Sequence, residues 1–587
     1  MRREAPNINA LWGSLLVEEL VRNGVTHFVI APGSRSTPLV QAVARNPKAT
    51  YTVWLDERGA AYHALGRARA IDWPTAVITT SGTAVANLLP AAVEAYEDGV
   101  PLIFLTADRP PELRETGANQ SIRQTQLLTS ATRWSFDLPC PDDRIPARTL
   151  LTTVDHAVQR ALDRQRGPVQ LNCPFREPLA PNTEAWDAAC LDGLEHWFES
   201  ETPFTETDGG EARPIDLSNL ARAALEASSG LLICGALPGY AAVKAVKALA
   251  VALGWPVWGD VRSGLRLGGD LAGQLPHLDR ILDRYDELAP EMVIQVGGRL
   301  TSKRLQEHLD GGQASRYALV DAGPDRMDPG HRVTDRFVAD VEAWCLALAA
   351  EVGRARKDET AAALPASLLT YQKRIEAAIE SGIESDEALS EPWVARWLSR
   401  HMDASHGLFL SSSMPIRDMQ SYAVADGPAL RIAANRGASG IDGVVSSAAG
   451  FAAEHGEPTT LLIGDLALLH DVNALANLAT LEEPLTIIVL NNGGGSIFSF
   501  LPVAGHEDVL DPYVNTPHSI QFRGLCTSFR LPYAHVEDRD GFTRAYDKAK
   551  ELGRSCMIEV KSSLAGNLAS HRALEIQIED TLLGETT

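Results

Sequence analysis

The segment at residues 461–498, LLIGDLALLHDVNALANLATLEEPLTIIVLNNGGGSIF, constrains the fold of this chain more than any other. Two apolar runs, 461–463 and 485–490, flank a stretch in which Leu469, Val472 and Leu475 recur at helical spacing. The second run is continuously apolar, as expected of a parallel strand that is covered on both faces. This order of strand, helix and strand predicts a βαβ unit, and therefore an α/β fold with a parallel sheet.

Both predicted strands end in polar residues. The first ends at Gly464-Asp465, and Asn492 follows the second, 27 residues after Asp465 and directly before three glycines. Open α/β sheets bind ligands at this edge, and Mg²⁺ prefers a few protein oxygens completed by phosphate and water. The glycines would let the backbone approach a ligand, and the helix that begins after Asp465 would favour a diphosphate. For these residues alone, an ordinary crossover with polar turns remains the alternative.

Length and charge narrow the class of protein. At 587 residues the chain is too long for one core, and three domains of ordinary size fit it. A formal net charge of −23 argues against nucleic acid as a partner, so an anionic substrate would need a local basic pocket. Seven scattered cysteines, no apparent signal peptide and no apolar run of about 18 residues predict a cytoplasmic protein without a membrane span.

The alternation of strands and helices repeats along the chain. It predicts three doubly wound parallel-sheet domains, at residues 1–190, 205–360 and 385–587. Composition predicts linkers at 180–212 and 380–391. The first and third predicted domains share the same alternation, which indicates a duplicated architecture without a detectable sequence repeat.

Strand ends in the first predicted domain carry polar and charged side chains that are candidates for a site. For any one of them, a helix cap or a solvated surface charge is the better interpretation. Thr106 and Asp108 are expected to follow the strand at 102–105. The candidates are Ser34 and Arg35 after the strand at 27–30, Glu57 at the start of an Ala- and Gly-rich helix, Ser81 and Gly82 in a turn, and Arg109.

Taken together, these motifs resemble those of thiamine-diphosphate enzymes of the pyruvate-decarboxylase and acetolactate-synthase type, over the whole chain. The motifs are APGSRSTPL (31–39), DERGAAYHALG (56–66), TADRPPELR (106–114), GANQSIRQ (117–124), TSKRL (301–305), NRGASGIDG (435–443) and GDLALLHDVNAL (464–475). Most members have glycine after the aspartate, where this chain has Leu466. That departure suits one branch, which decarboxylates 2-oxoglutarate and adds the succinyl unit to isochorismate in menaquinone biosynthesis.

The resemblance implies thiamine diphosphate and Mg²⁺ as cofactors, with Mn²⁺ as an alternative metal, and a homo-oligomer with active sites between chains. It implies that Glu57 is catalytic and hydrogen-bonds the pyrimidine ring of the cofactor. Asp465, Asn492 and the Gly494 carbonyl would bind the metal, and Ile441 would wedge the cofactor into a bent shape. Further cofactor-pocket positions would be Ser81, Gly82, Gly464, Leu466, Ile497 and Phe498. Substrate positions would be Ser34, Arg35, Arg109, Asn119, Gln120, Lys303, Arg304, Ser413, Arg417 and Arg436.

Three alternatives remain open on the sequence. The nearest is another thiamine-diphosphate carboligase or 2-oxo-acid decarboxylase, although the many cations argue against a small apolar substrate. A cofactor-free protein that keeps the fold would be expected to lack residues of the Glu57 and Asp465 type, and both are present. A nucleotide-binding dehydrogenase would need a G-x-G-x-x-G turn after a strand, and none is convincingly placed.

Overall fold

The computed structural model describes residues 4–207, 215–271, 273–282, 289–312, 314–356 and 366–584. Within them the chain forms two compact units. The first contains the described residues within 1–211, 435–456 and 470–482, and the second contains those within 212–434, 457–469 and 483–587. No helix among the described residues is long and apolar enough to cross a membrane.

The first sheet has the strand order β2-β1-β3-β4-β6-β5, and all its pairs are parallel. Its strands are β1 (His27–Ile30), β2 (Thr50–Val53), β3 (Thr75–Thr79), β4 (Leu102–Asp108), β5 (Trp134–Asp137) and β6 (Val169–Pro174). The helices of this part of the chain are α1 (Ile8–Arg22), α2 (Thr37–Arg45), α3 (Glu57–Ile71), α4 (Thr83–Ala86), α5 (Leu89–Asp98), α6 (Arg148–Leu162) and α7 (Glu195–Glu199).

The second sheet has the order β11-β10-β9-β7-β8, again parallel. Its strands are β7 (Gly230–Cys234), β8 (Val257–Gly259), β9 (Met292–Val296), β10 (Arg316–Asp321) and β11 (Asp335–Val338). The helices of this stretch are α8 (Ser218–Glu226), α9 (Gly239–Leu253), α10 (Leu278–Leu282), α11 (Lys303–Gly311), α12 (Val341–Ala355) and α13 (Ala366–Ser385).

The third sheet repeats the connectivity of the first, with the order β13-β12-β14-β15-β17-β16, which supports the predicted duplication. Its strands are β12 (Gly407–Leu410), β13 (Arg431–Ala434), β14 (Thr459–Gly464), β15 (Leu485–Asn491), β16 (Tyr533–Val536) and β17 (Cys556–Lys561). The remaining helices are α14 (Glu391–His401), α15 (Met414–Tyr422), α16 (Val444–His455), α17 (Asp465–His470), α18 (Leu475–Leu478), α19 (Glu507–Val509), α20 (Phe522–Ser528), α21 (Arg539–Glu551) and α22 (Leu564–Leu583).

These three parallel sheets confirm the predicted fold class. The strand order reverses between β1 and β3 in the first sheet, and between β12 and β14 in the third sheet. Ligands of doubly wound folds bind outside the carboxyl ends of strands at such a reversal. The chain that follows β1, β3, β12 and β14 is therefore where a site is expected.

Each sheet uses strands from one predicted domain range. The domain boundaries stay predictions, and the one at 360 lies outside the described residues.

Several local predictions were wrong. Residues 188–199 of the first predicted linker form a 3₁₀ turn and α7, because Leu194 and Trp197 bury apolar side chains in the first core; residues 208–212 of that linker lie outside the described residues. Residues 380–385 of the second predicted linker belong to α13, where Ile383 is buried. Thr106 and Asp108 lie inside β4 rather than after it.

The helix predicted after Asp465 is interrupted. α17 ends at His470, and a 3₁₀ turn separates it from α18. The break falls at Asp471, whose carboxylate accepts hydrogen bonds from the backbone N–H and the hydroxyl of Ser446 at the start of α16. α17 has only six residues, and the predicted diphosphate site at its N-terminus stays a prediction, so the backbone N–H groups near Asp465 are considered individually below.

Candidate active site

Asp465 lies at the carboxyl end of β14, next to the glycines that follow β15. Its Oδ2 accepts hydrogen bonds from the backbone N–H of Gly493 at 2.8 Å and of Gly494 at 3.1 Å, and its Oδ1 accepts from Leu466 N–H at 2.6 Å. Burial raises the pKa of Asp465, although these N–H groups oppose the shift. A divalent cation would reverse this effect of burial, because it stabilises the charged carboxylate.

Asn492 supplies the second candidate metal ligand, and its side-chain oxygen is the observation that best fits a metal. Oδ1 of Asn492 is buried and has no hydrogen-bond partner among the described residues. A buried acceptor without a partner is unfavourable unless an ion or a water occupies it. With the Asp465 carboxylate and the Gly494 carbonyl, it forms the kind of small oxygen set that Mg²⁺ prefers.

The glycines after β15 are required by the backbone. Gly493 has φ +86°, in the left-handed region that favours glycine. A Cβ on Gly494 would lie 2.6 Å from the carbonyl oxygen of Asn515, so no larger residue fits there without movement. This loop leads into the half-buried Ile497 and Phe498. Two hydrogen bonds connect it to the segment at 515–518: Gly495 N–H donates to Asn515 O, and His518 N–H donates to Gly493 O.

His518 is a neighbour of this group that no sequence signal marks. Its Nε2 lies 3.2 Å from Asp465 Oδ2, and its side chain is 11% exposed. It follows Asp465 by 53 residues, in a stretch without regular strand or helix. Only the folded path of the chain brings it to the carboxylate.

Glu57 is the first residue of α3, and Asp56 caps that helix through a hydrogen bond from Gly59 N–H to its Oδ1. The Glu57 side chain is partly exposed, and the amide of Asn87 donates to its Oε2 at 3.3 Å. Asn87 was not predicted. The carboxyl group of Glu57 is thus held at a helix start and still accessible to a ligand.

The Ala- and Gly-rich composition of α3 is explained by the close approach of α16 within the first unit. A Cβ on Gly66 would lie 1.9 Å from Ser447 O, and one on Gly450 would lie 2.0 Å from His63 O. The ring of Tyr62 lies directly against Gly443, whose φ is +58°. This packing sets the position of the loop just before α16, which carries the half-buried Ile441.

The same loop is held at its other end by Glu94, a buried residue of α5. Its two carboxylate oxygens accept hydrogen bonds from the backbone N–H groups of Gly437 and Ala438, each at 2.7 Å. Arg436, a predicted substrate position, directly precedes this contact. Nothing in the sequence pairs Glu94 with a loop that lies 343 residues further along the chain.

Two predicted cations of the first unit, Arg35 and Arg109, follow β1 and β4 at the carboxyl edge of its sheet. Arg35 is buried, donates to Phe175 O at 2.9 Å and pairs with Glu177 at 2.9 Å. Burial and the neighbouring Arg109 guanidinium lower the pKa of Arg35. Nε of Arg109 is buried without a hydrogen-bond partner among the described residues. Two adjacent guanidinium groups, one with an unused buried donor, form a candidate anion site.

The turn after β3 borders these cations. Thr80 Oγ1 accepts from Arg35 N–H at 3.3 Å, and Gly82, with φ +83°, donates its N–H to Gln124 Oε1 at 3.1 Å. The Gln120 side chain is next to Gly82. Ser81 Oγ is buried without a partner among the described residues. Of the other predicted positions here, Ser34, Asn119 and Gln120 are exposed. Gln124 was missed.

In the second unit, Ser413 and Arg417 lie at the start of α15, after β12. Ser413 has a strained φ of +74°, and its carbonyl accepts a hydrogen bond from Arg417 Nη1 at 2.5 Å. Arg304 lies 3.4 Å from Glu575 of α22. Lys303, by contrast, is 83% exposed and pairs with Glu307, which is the arrangement of an ordinary surface ion pair.

Three family models match consecutive parts of the chain. The model described as "Thiamine pyrophosphate enzyme, N-terminal TPP binding domain" matches residues 12–127, "Middle domain of thiamine pyrophosphate" matches 188–410, and "Thiamine pyrophosphate enzyme, C-terminal TPP binding domain" matches 421–560. Together with the three parallel sheets, they define a thiamine-diphosphate-dependent enzyme of the transferase or carboligase type.

Similar proteins with curated names indicate the branch of thiamine-diphosphate enzymes to which this chain belongs. Proteins named 2-succinyl-5-enolpyruvyl-6-hydroxy-3-cyclohexene-1-carboxylate synthase are 46% identical in Rubrobacter xylanophilus, with 98% of this chain and 99% of the relative covered, and 43% identical in Salinibacter ruber, with 98% of each covered. The relative of that name in Pelodictyon phaeoclathratiforme is 42% identical, with 97% of this chain and 96% of the relative covered. The chain belongs to this synthase family of thiamine-diphosphate enzymes.

Proposed function

We propose that this enzyme decarboxylates 2-oxoglutarate and adds the succinyl unit to isochorismate, giving 2-succinyl-5-enolpyruvyl-6-hydroxy-3-cyclohexene-1-carboxylate in menaquinone biosynthesis. The observation that carries this proposal is the 42–46% identity, over nearly the whole chain, to proteins named for that product. The oxygen set at Asp465 and Asn492 and the paired arginines at the edge of the first sheet support it.

Thiamine diphosphate supplies the electron sink for the decarboxylation. Asp465, Asn492 and the Gly494 carbonyl would hold Mg²⁺, or Mn²⁺ in its place, against the diphosphate. The partly exposed carboxyl group of Glu57 would hydrogen-bond the ring nitrogen of the pyrimidine, and its contact with Asn87 helps to orient it. Ile441 would support the bent shape of the cofactor. Gly464, Leu466, Ser81, Gly82, Ile497 and Phe498 would complete the pocket.

Both proposed substrates carry two carboxylates, whereas the protein has a net charge of −23. Local cations must therefore bind them, and the planar fork of arginine suits a carboxylate best. Arg35 and Arg109 are the strongest candidates, because Arg35 is buried and Nε of Arg109 is buried without a hydrogen-bond partner among the described residues. The other proposed substrate positions are Ser34, Asn119, Gln120, Lys303, Arg304, Ser413, Arg417 and Arg436.

Three further features belong to this proposal. We infer a homo-oligomer with active sites shared between chains, and domains at residues 1–190, 205–360 and 385–587. We also infer a cytoplasmic location, which the seven buried, unpaired cysteines support because a reducing compartment keeps thiols free.

The test is to mix the purified enzyme with thiamine diphosphate, Mg²⁺, 2-oxoglutarate and isochorismate, and to follow the adduct by mass spectrometry. A parallel reaction replaces 2-oxoglutarate by pyruvate, which lacks the distal carboxylate. We expect the succinyl adduct in the first reaction and little product in the second. If pyruvate worked as well as 2-oxoglutarate, an acetolactate-synthase-like activity would replace the proposed one.

A further inference from the structure

A buried carboxyl group lies directly behind the candidate metal ligand Asn492. Glu391, the first residue of α14, is 2% exposed, and its Oε1 accepts a hydrogen bond from Asn492 Nδ2 at 2.8 Å. The two residues are 101 positions apart in the chain, and they meet within the second unit. Glu391 was not predicted as a site residue.

This contact has a consequence for the other end of the amide. An asparagine amide has one donor group and one acceptor atom, and a rotation of its side chain by half a turn exchanges them. Because Glu391 accepts from Nδ2, Oδ1 is directed away from Glu391, where it is buried without a hydrogen-bond partner in the part of the chain that the structure describes. In the opposite orientation the N–H₂ group would face the site, and a donor cannot coordinate a cation. Glu391 Oε1 can accept from Nδ2 whether the carboxyl group is charged or carries its proton on Oε2.

Glu391 is in turn part of a buried charge network. His571 of α22 has Nδ1 at 2.9 Å from the carbonyl oxygen of Asn567 and Nε2 at 2.8 Å from Asp418 Oδ1. Both ring nitrogens therefore face acceptors, which favours a doubly protonated imidazolium ring. Burial would lower the pKa of His571, but the carboxylates of Asp418 and Glu391 outweigh it and raise the pKa to about 9. This positive charge compensates the two buried acids.

The network also reaches the proposed substrate positions. Asp418 directly follows Arg417 in α15. Glu575 lies one helical turn after His571 on α22, where it pairs with Arg280 at 2.8 Å and with Arg304 at 3.4 Å. The C-terminal helix thus contacts Asp418 on α15 and the cations Arg280 and Arg304, although its sequence carries no recognisable motif.

We propose that Glu391 is a positioning residue, which orients the Asn492 amide so that its oxygen faces the divalent cation. This inference rests on the proposed metal site of the enzyme. Groups that orient metal ligands from behind typically change metal affinity by about 10- to 100-fold.

Two conservative variants distinguish whether Glu391 acts by orienting the Asn492 amide or by its negative charge. Glu391→Gln keeps the length of the side chain and an acceptor oxygen but removes the charge. Glu391→Asp keeps the charge but is one methylene shorter, so it withdraws the acceptor from Asn492 Nδ2. The measurement is Mg²⁺ binding by isothermal titration calorimetry at saturating thiamine diphosphate, with thermal unfolding of each variant as the control for folding.

We expect Glu391→Asp to weaken Mg²⁺ binding by about 10- to 100-fold and Glu391→Gln to change it by no more than about threefold. The opposite order, with the Gln variant impaired and the Asp variant normal, would show that charge matters and would overturn the positioning role. Equal affinity of both variants and wild type would also overturn it. Because binding is measured without 2-oxoglutarate or isochorismate, failure of this inference is distinguishable from failure of the proposed reaction.

Discussion

Replacing Arg109 by alanine should reduce kcat/KM for one of the two proposed substrates far more than for the other. Arg109 follows β4, and its backbone N–H donates to Asp108 Oδ1 at 2.7 Å. Asp108 is itself held by Asn172 Nδ2 at 2.9 Å, so the backbone at this position is well supported without the arginine side chain. Nε of Arg109 is buried and has no partner among the described residues. The substitution therefore removes a donor to a ligand rather than a contact that holds the fold.

The size of the expected loss in kcat/KM follows from the environment of the Arg109 side chain. A hydrogen bond between a guanidinium group and a carboxylate in a partly desolvated site contributes about 1.5–3 kcal/mol. If the contact is made in the transition state, its loss lowers kcat/KM by about 10- to 150-fold. Arg109→Lys keeps the charge but not the planar fork, so we expect a smaller loss than for alanine.

Steady-state kinetics should be measured for each variant with 2-oxoglutarate varied at fixed isochorismate, and then the reverse. Arg144→Ala is the matched control, since Arg144 belongs to the same unit, is 85% exposed and pairs with Asp142 on the surface. Its kcat/KM should stay within about twofold of wild type, as expected for a surface ion pair. If Arg109→Ala also kept wild-type kcat/KM for both substrates, the paired arginines would not form a substrate site.

Three other predictions concern the cofactor and the stability of the fold. Asp465→Ala should abolish Mg²⁺-dependent binding of thiamine diphosphate, since it removes the charged ligand; calorimetry showing unchanged binding would contradict the metal site. Glu57→Gln should bind the cofactor but lose most turnover, and a wild-type rate would exclude its catalytic role. Burial and the neighbouring Asp155 raise the pKa of Glu19 from 4.5 to about 8. Because the folded state binds this proton more tightly, its stabilising contribution is complete below about pH 4.5 and is lost as pH rises through 8. Between pH 6 and 9 the melting temperature should therefore fall less in Glu19→Gln than in wild type, and parallel profiles would refute this.

The strands that the sequence did not predict all lie at the edges of sheets, although two other edge strands, β2 and β8, were predicted. The central strand β15 is apolar except for Thr486 and the terminal Asn491, because both faces and both edges of the strand are covered. The four strands that were missed, β5, β11, β13 and β16, are all edge strands. They contain mixed sequences such as Trp-Ser-Phe-Asp and Asp-Arg-Phe-Val and are only partly buried. An edge strand has only one neighbouring strand, and its other edge is exposed to solvent. Its sequence is therefore less uniformly apolar and predicts a strand less clearly.

The predicted linkers show that the composition of a segment also predicts its structure poorly. Residues 188–199 are rich in small and acidic residues, a composition typical of a connection. Their apolar side chains, among them Leu191, Leu194 and Trp197, are nevertheless enough to fold this stretch against the first core. Composition is averaged over a segment, whereas burial depends on whether a neighbouring surface accepts a few of its side chains.

Sequence alone was enough to predict the α/β class, the repeated architecture and the family, because apolar periodicity and short motifs at strand ends are local properties of the chain. Asp465, Asn492 and the glycines could be proposed as site residues for the same reason. Glu391, His518, His571, Glu94 and Asn87 could not, since each meets its partner from 30 to 343 positions away. The tertiary structure decided these contacts, and with them the orientation of the Asn492 amide, because hydrogen bonds between distant residues depend on how the sheets and helices pack and leave no pattern in neighbouring residues.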